Sequence, residues 1–506
     1  MGALSFDRRG LLRSAGGAGA ALALGGTFNA LMSRQAMAAT AGQIEPAESP
    51  YGPLFPKADQ ETRLPLLKLP RGFTYRSFSW TGDAMSDGNP VHARHDGMAV
   101  VARSGHGGRD MLIIRNHEAA LGRLYSGVGQ YDTATVSSGG VTGKPEGGCS
   151  VLKVRNGRLV DHYATLGGTL TNCAGGPTPW GTWLTCEETT TDLTPLGGRK
   201  HGYVFECSPD PRRTTGEPIV GMGRFAHEAT ATDPRTGYVY LTEDARNVSG
   251  FYRYKPNDRS RAYGALAQGG RLQAAKVTGI EGANLLALGG DNAVDSVGQV
   301  LEVTWVDVDQ PDAAPVGGSS GPYAEARSKG ALRMSRGEGL WWHGDMLSVI
   351  DTSFGRDSAG RDGRGLGAMW FYNPDRSDPE KGQLKLIYAA AARVAGNNPD
   401  NVTLSPRGGV VTCDDGDDVE DAYGQGQRVM GYTAAGAAYI LVKNNVVLDA
   451  SDIAGMGRSA AIQPDDYRGS EFCGACFDPT GQTLFVNIQS PGITFAIQGP
   501  WARGNL

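Results

Sequence analysis

Short apolar runs that break off into carboxylates or amides recur along the chain. MLIIRNHE ends at Glu118, TWLTCEE at Glu188, YVYLTED at Asp244, LEVTWVD at Asp307, MLSVID at Asp351, GVVTCDD at Asp415 and TLFVNIQ at Gln489. Successive ends lie 70, 56, 63, 44, 64 and 74 residues apart. Strand-like runs sit between Gly, Pro, Asn and Asp clusters, and stretches with helical periodicity are scarce. A strand that surfaces with Asp, Glu or Asn at its end, repeated along a chain, predicts a radial β-architecture with oxygen ligands gathered in one place. Hard cations take that kind of donor set. The run at Asp307 is the weakest of the set, with a single acid and no Gly or Asn beside it.

Composition sharpens this to a β-rich globular chain. Of 506 residues 75 are Gly, while the apolar fraction is an ordinary 40%, which excludes disorder. A recurrence of about 60 residues exceeds the ~40–50 of common propeller blades, and inserted loops account for the excess. No low-complexity tract or linker appears, so residues 39–506 are expected to form a single domain.

Residues 1–38 are different material. Arg8 and Arg9 in FDRRGLLR precede an Ala/Gly/Leu stretch from Ser14 to about Met32, and Ala36-Met37-Ala38 offers a cleavage site. This is the pattern of a twin-arginine signal peptide, with Asp7 where Ser or Thr is usual. A transmembrane anchor is excluded because the stretch is short and Gly-rich. The expectation is export by the twin-arginine translocase to the periplasm or beyond. That route carries folded proteins, which suits a chain that must acquire a metal centre first. The leader has four arginines against Asp7, a net +3, so the −5 of the whole chain becomes −8 for the remainder. An acidic protein without a basic run is unsuited to nucleic acid.

Seven cysteines leave at least one unpaired within the chain. Cys473-Gly-Ala-Cys476 has CxxC spacing but no second half, and reads as two small buried residues at a strand start. HExxH, the P-loop and the dinucleotide fingerprint are missing, and the 8 histidines are scattered. Metal-assisted hydrolysis is therefore the best enzyme class, with carboxylates on the ions and Arg on a substrate anion.

The densest segment is NCAGGPTPWGTWLTCEE, Asn172 to Glu188. Adjacent glutamates in a strand point to opposite faces, so at most one of Glu187 and Glu188 aims at a common site unless a bulge intervenes. Arg336 and Glu338 in RGEG are two apart and share a face of an extended segment. The acidic cluster in VVTCDDGDD resembles a calcium loop in composition without EF-hand spacing.

Taken together these pieces resemble the PhoX-type alkaline phosphatases. The resemblance rests on the twin-arginine leader, NHE at Asn116, GGC at Gly147, the Asn172–Glu188 segment, GRFAHEA at Gly223, YLTED at Tyr240, RGEG at Arg336, DNVTLSPRGG at Asp400 and FVNIQSPG at Phe485. It implies an all-β fold, a six-bladed β-propeller with long inserted loops, hydrolysing small-molecule phosphomonoesters at a site of ferric iron (Fe3+) and calcium (Ca2+). It further implies an iron-bound thiolate at Cys149, with Cys173 and Cys186 as alternatives. Glu228 and Glu338 match metal-binding carboxylates, and Arg336 matches a phosphate-contacting arginine. Glu118, Glu187, Asp244, Asp400 and Asp414 follow by motif position. Two other classes share the acids: a calcium-dependent propeller hydrolase of lactonase or phosphotriesterase type, and a non-enzymatic periplasmic binding propeller.

Overall fold

The structure is a computed structural model that describes residues 45–105, 110–433, 436–458 and 460–506. The expected leader, residues 1–38, lies outside the described residues. The described chain is all-β. Its α-helices are two short ones, Gly321–Ser328, capped by the Ser320 side chain, and Ala450–Gly455, opened by an Asp449–Asp452 capping box. No described helix is long and apolar enough to cross a membrane.

Six strands form an inner ring. His95–Ser104 packs beside Asn172–Pro177, then come His227–Thr232, Gly337–His343, Pro399–Leu404 and Phe472–Phe477, and the last returns to the first. We call them the first to sixth inner strands. Each begins an antiparallel group that runs outward. The third inner strand continues into Val239–Glu243, Phe251–Pro256 and Gly270–Val277, and the fourth into Met346–Asp351, Ala368–Pro374 and Gly382–Ala389. Val300–Val308, which carries the Asp307 run, bridges these two groups into one nine-stranded sheet and sits far from the ring. Its lone acid marks an outer connection, which is why it fits the recurrence least well.

The apolar runs are explained by burial on both faces. Along Ala368–Pro374, Trp370 and Tyr372 enter one hydrophobic cluster while Met369 and Phe371 enter another. A strand between two packed groups must be apolar throughout, so it reads as a continuous run. The sixth group is completed from the other end of the chain. Thr74–Phe78 pairs antiparallel with Ile493–Gln498, from Thr74 opposite Gln498 to Phe78 opposite Thr494.

Glycine lets the inner strands approach. A Cβ on Gly97 would lie 2.7 Å from Ala174 Cα, and one on Gly176 would lie 1.8 Å from the Thr230 carbonyl oxygen. Both obstacles are backbone and cannot swing away. Gly176→Ala is therefore expected to cost about 3 kcal/mol in chemical denaturation. Gly455→Ala, with open space around it, should not destabilise; equal midpoints for the two variants would disprove the close-approach account.

Candidate metal centre

Every inner strand bulges at the same end of the ring. In the first, His95 is opposite His117 but Met98 is opposite Arg115, so Asp96 and Gly97 together face the single Asn116. The same slip occurs at Asn172/Gly175, His227/Thr230, Gly337/Leu340 and Pro399/Val402. The sixth strand slips between Cys473 and Cys476, over Gly474 at a φ of 62°. A bulge leaves one residue unpaired and re-aims it. The residues so placed in the first five strands are Asp96, Cys173, Glu228, Glu338 and Asp400.

A second tier comes from the ends of the neighbouring strands. Glu118, Glu188, Asp244 and Asp415 each donate a backbone N–H across the bulge, to the carbonyls of Arg94, Thr171, Ala226 and Asn398. Thr352 and Gln489 make the equivalent bonds to Arg336 and Glu471.

Together the tiers form a continuous arc of donors. Among the described residues, ligand atoms of Cys173, Glu188 and Glu228 lie within 4.8 Å of one another, as do those of Glu228, Glu338 and Asp400, and those of Asp400, Asp415 and Glu471. Glu228 and Asp400 are shared between groups. Burial, then Glu188, Asp400 and Asp244, holds the Glu228 carboxyl well above the usual range. Burial and Glu228 do the same to Glu338, and burial and Asp400 push Asp415 up to about 7. The Cys173 thiol is raised by burial, Glu228 and Glu188. A cation reverses each of these shifts, because it favours the ionised form of every donor it touches. Asp400 Oδ1 is buried without a hydrogen-bond partner, as an atom kept for a cation would be. The Cys173 end adds one soft thiol donor to its carboxylates, whereas the Glu471 end offers carboxylate oxygens alone.

Arg336 stands beside the arc. Its Nε and Nη2 each donate to Asp244 at 2.6 Å, and Nη2 lies 3.0 Å from Glu338 Oε1. Burial opposes its charge, but Glu338 and Asp244 outweigh burial and keep it ionised. Its backbone N–H donates to Asp351 Oδ1 at 3.1 Å. Glu118 faces the same region, accepting from Arg94 and Gln489 at 2.8 Å each.

Five expected residues lie outside these groups: Glu118 and Asp244 stand beside them, and three turn away. Glu187 turns into its own sheet group, where it accepts from the N–H groups of Leu170, Gly202 and Tyr203 and from His201 Nδ1 at 2.6 Å. Asp414 turns the same way and accepts from Arg428 at 2.7 and 3.1 Å. Cys149 lies in Gly147–Arg155, with its Sγ 3.2 Å from Asn116 Oδ1 and 3.8 Å from Cys207 Sγ, in an apolar cluster. In each acid pair the last residue in register with the inner strand points backward, and the next one meets the arc. Strand alternation could have separated Glu187 from Glu188 and Asp414 from Asp415, had the register been known. Glu471 and Asp96 carry no such signal, since no apolar run precedes them. All seven cysteines are free, including Cys473 and Cys476.

The pair at 187 and 188 makes a direct test of this geometry. Glu187→Gln should destabilise the apoprotein by about 3 kcal/mol, because it weakens several buried charge-assisted bonds. Glu188→Gln should leave apoprotein stability unchanged or higher, by relieving like-charge repulsion, while lowering bound metal per chain. Urea titration with elemental analysis reads both, and the reverse pattern would overturn the orientation.

A sequence profile of the alkaline phosphatase PhoX family matches residues 49–161 and 140–492. No curated protein sequence matches. The fold is similar to that of Pseudomonas fluorescens PhoX in complex with vanadate, a transition state analogue, with a TM-score of 0.59 and 17% identity over 92% of this chain and 99% of that one. A Desulfotomaculum acetoxidans protein of unknown function gives a TM-score of 0.31 at 11% identity, over 79% of this chain and 82% of that one. The PQQ domain of Coprinopsis cinerea pyranose dehydrogenase gives 0.29 at 8%, over 85% and 97%. The profile spans most of the chain: it belongs to the PhoX family of alkaline phosphatases.

Proposed function

We propose that this phosphatase is a six-bladed β-propeller that hydrolyses small phosphomonoesters at the channel end of its inner ring, using iron and calcium. The ring of six inner strands, each opening its own antiparallel group, supports the propeller reading. The observation that carries the functional reading is the arc of Cys173, Glu188, Glu228, Glu338, Asp400, Asp415 and Glu471 with Arg336 at its side. Cys173, Glu188 and Glu228 would hold iron; Asp400, Asp415 and Glu471 would hold calcium. Bound there, the cations would polarise phosphoryl oxygens and favour an oxygen nucleophile at moderate pH.

The chain's own residues prepare that chemistry. Glu228 and Asp400, shared between neighbouring donor groups, would hold neighbouring cations together. Asp244 grips the Arg336 guanidinium through Nε and Nη2, and Nη1 has no protein partner among the described residues. Asp351, behind the ring, pins the Arg336 backbone. The arginine is thus held charged and immobile, ready to take a phosphoryl oxygen where negative charge grows in the transition state. The leader at residues 1–38 supports export of the folded protein through the twin-arginine translocase to the periplasm or the medium.

Turnover of a chromogenic phosphomonoester should stop on exhaustive EGTA dialysis and return with calcium. Full activity in protein shown free of calcium would remove that cation from the reading. Cys173→Ser should lose iron and visible absorbance together, whereas Cys149→Ser should keep both; the opposite result would return the thiolate to Cys149.

Arg336→Ala is expected to lower turnover ~10²–10³-fold with metal content unchanged, as Glu338 is untouched. Arg336→Lys should recover little, because an ammonium cannot reproduce the planar grip on Asp244 while reaching a second oxygen. Restoration of most activity by Lys, with inorganic phosphate inhibiting all three proteins equally, would reduce Arg336 to an ion-pair partner.

A further inference from the structure

A bulge releases a residue from the strand ladder, so its backbone must be held by something else. Between the third and fourth groups that task falls to Thr242. It is the penultimate residue of Val239–Glu243, fully buried, and it faces Glu228 and Ala229 across the bulge of the third inner strand. Its hydroxyl accepts the Ala229 N–H at 3.1 Å and donates to the Glu338 carbonyl oxygen of the fourth inner strand. One hydroxyl thus joins the bulge that carries Glu228 to the backbone of Glu338, and these two carboxylates share a donor group.

The neighbouring residues fit this contact. A Cβ on Gly337 would lie 3.3 Å from Thr242 Cβ, so the glycine before Glu338 gives the threonine room. The Gly337 N–H donates to Ser249 Oγ at 3.1 Å, and that hydroxyl donates to the Glu243 carbonyl oxygen. The third group therefore holds Glu338 on both flanks, at the N–H before it and at its own carbonyl. The same place in two other groups is also polar and also reaches forward. Asn116, penultimate in Asp110–His117, donates from Nδ2 to the Cys173 and Ala174 carbonyls at 3.0 and 2.7 Å. Asn487, penultimate in Thr483–Ile488, donates to the Asp96 carbonyl at 2.6 Å. The remaining groups carry Cys186, Ile350 and Cys413 there. A buried polar side chain costs stability unless it is satisfied. All three of these are satisfied on the backbone of a bulged donor residue in the next group.

We propose that Thr242 is a positioning residue of the metal centre: it sets the separation of the Glu228 and Glu338 carboxylates, against their mutual repulsion, so that one cation engages both. The proposal rests on the metal-dependent phosphatase reading and adds to it a residue that acts through the backbone of two donors, without contact to cation or ester.

Dialysis of the metal-loaded protein against graded EGTA tests this, with calcium and iron per chain read by elemental analysis. Thr242→Val keeps the side-chain shape and removes the hydroxyl. It should release calcium at an EGTA concentration about tenfold lower than the wild type does, the smaller loss expected when a group that orients a ligand is removed. Thr242→Ser keeps the hydroxyl and should match the wild type. Thr165→Val controls for stability alone. Thr165 is buried in Arg158–Thr169, three strands outward from the ring, and its hydroxyl donates to the Ser208 carbonyl at 2.6 Å. That variant should lower the urea midpoint yet release calcium as the wild type does. Should Thr242→Val not fold, Thr242→Ala carries the same expectation. Wild-type retention by the variant without the hydroxyl overturns the positioning role, and so does equally early release from Thr242→Ser or Thr165→Val. A wild type that holds neither calcium nor iron brings down the metal reading itself; a wild type that holds both, with Thr242→Val indistinguishable from it, removes only the role of Thr242.

Discussion

Carboxylates packed within a few ångströms of each other, several of them buried or half-buried, resist ionising together without a cation. That repulsion is the constraint around which this ring is organised. Glu228 and Asp400 each sit in two donor groups at once, so the arc behaves as a unit and not as separate ligands. Holding it open requires a scaffold that cannot relax. Small residues follow the ligand positions in the inner strands, as with Gly97, Ala174, Ala229 and Gly339, so the backbones come close enough to fix the donors.

Behind the arc lies a second set of acids with the opposite character. Glu187, Glu243 and Asp351 are fully buried yet satisfied by backbone and hydroxyl donors: Glu243 accepts from Gly250 N, Tyr252 Oη and Ser320 Oγ. Glu187 and Asp351 hold the residues just before the second and fourth inner strands. At Asp351 the two sets meet, since the acid that anchors the strand also fixes the backbone of Arg336. Anchoring and positioning are here the same hydrogen bonds.

Much of this was legible in the sequence, and the misses share a cause. The recurring strand ends are real, and Glu228, Glu338 and Asp400 do stand together. Motif position cannot resolve which of two neighbouring acids faces forward, because adjacent residues point to opposite faces and the register that chooses between them is set by tertiary pairing. The sequence reading therefore took Glu187 and Asp414 where the fold presents Glu188 and Asp415. Cys149 follows an attractive GGC motif, but its strand is the third of its group, one layer away from the ring. Glu471 and Asp96 open inner strands instead of ending outer ones, so the pattern of runs that break into acids passes over them.

The pairing of Thr74–Phe78 with Ile493–Gln498 bears on the order of events during synthesis. The outermost strand of the sixth group waits for nearly the whole chain to leave the ribosome before it finds its partner. The first inner strand likewise meets the sixth only then, and the donor arc draws on residues from Cys173 to Glu471. Contacts of such sequence separation form late, after a large loop-closure entropy has been met. A nascent chain short of its C terminus thus presents scattered carboxylates with no chelating geometry, and metal loading becomes a post-translational event tied to completion of the fold.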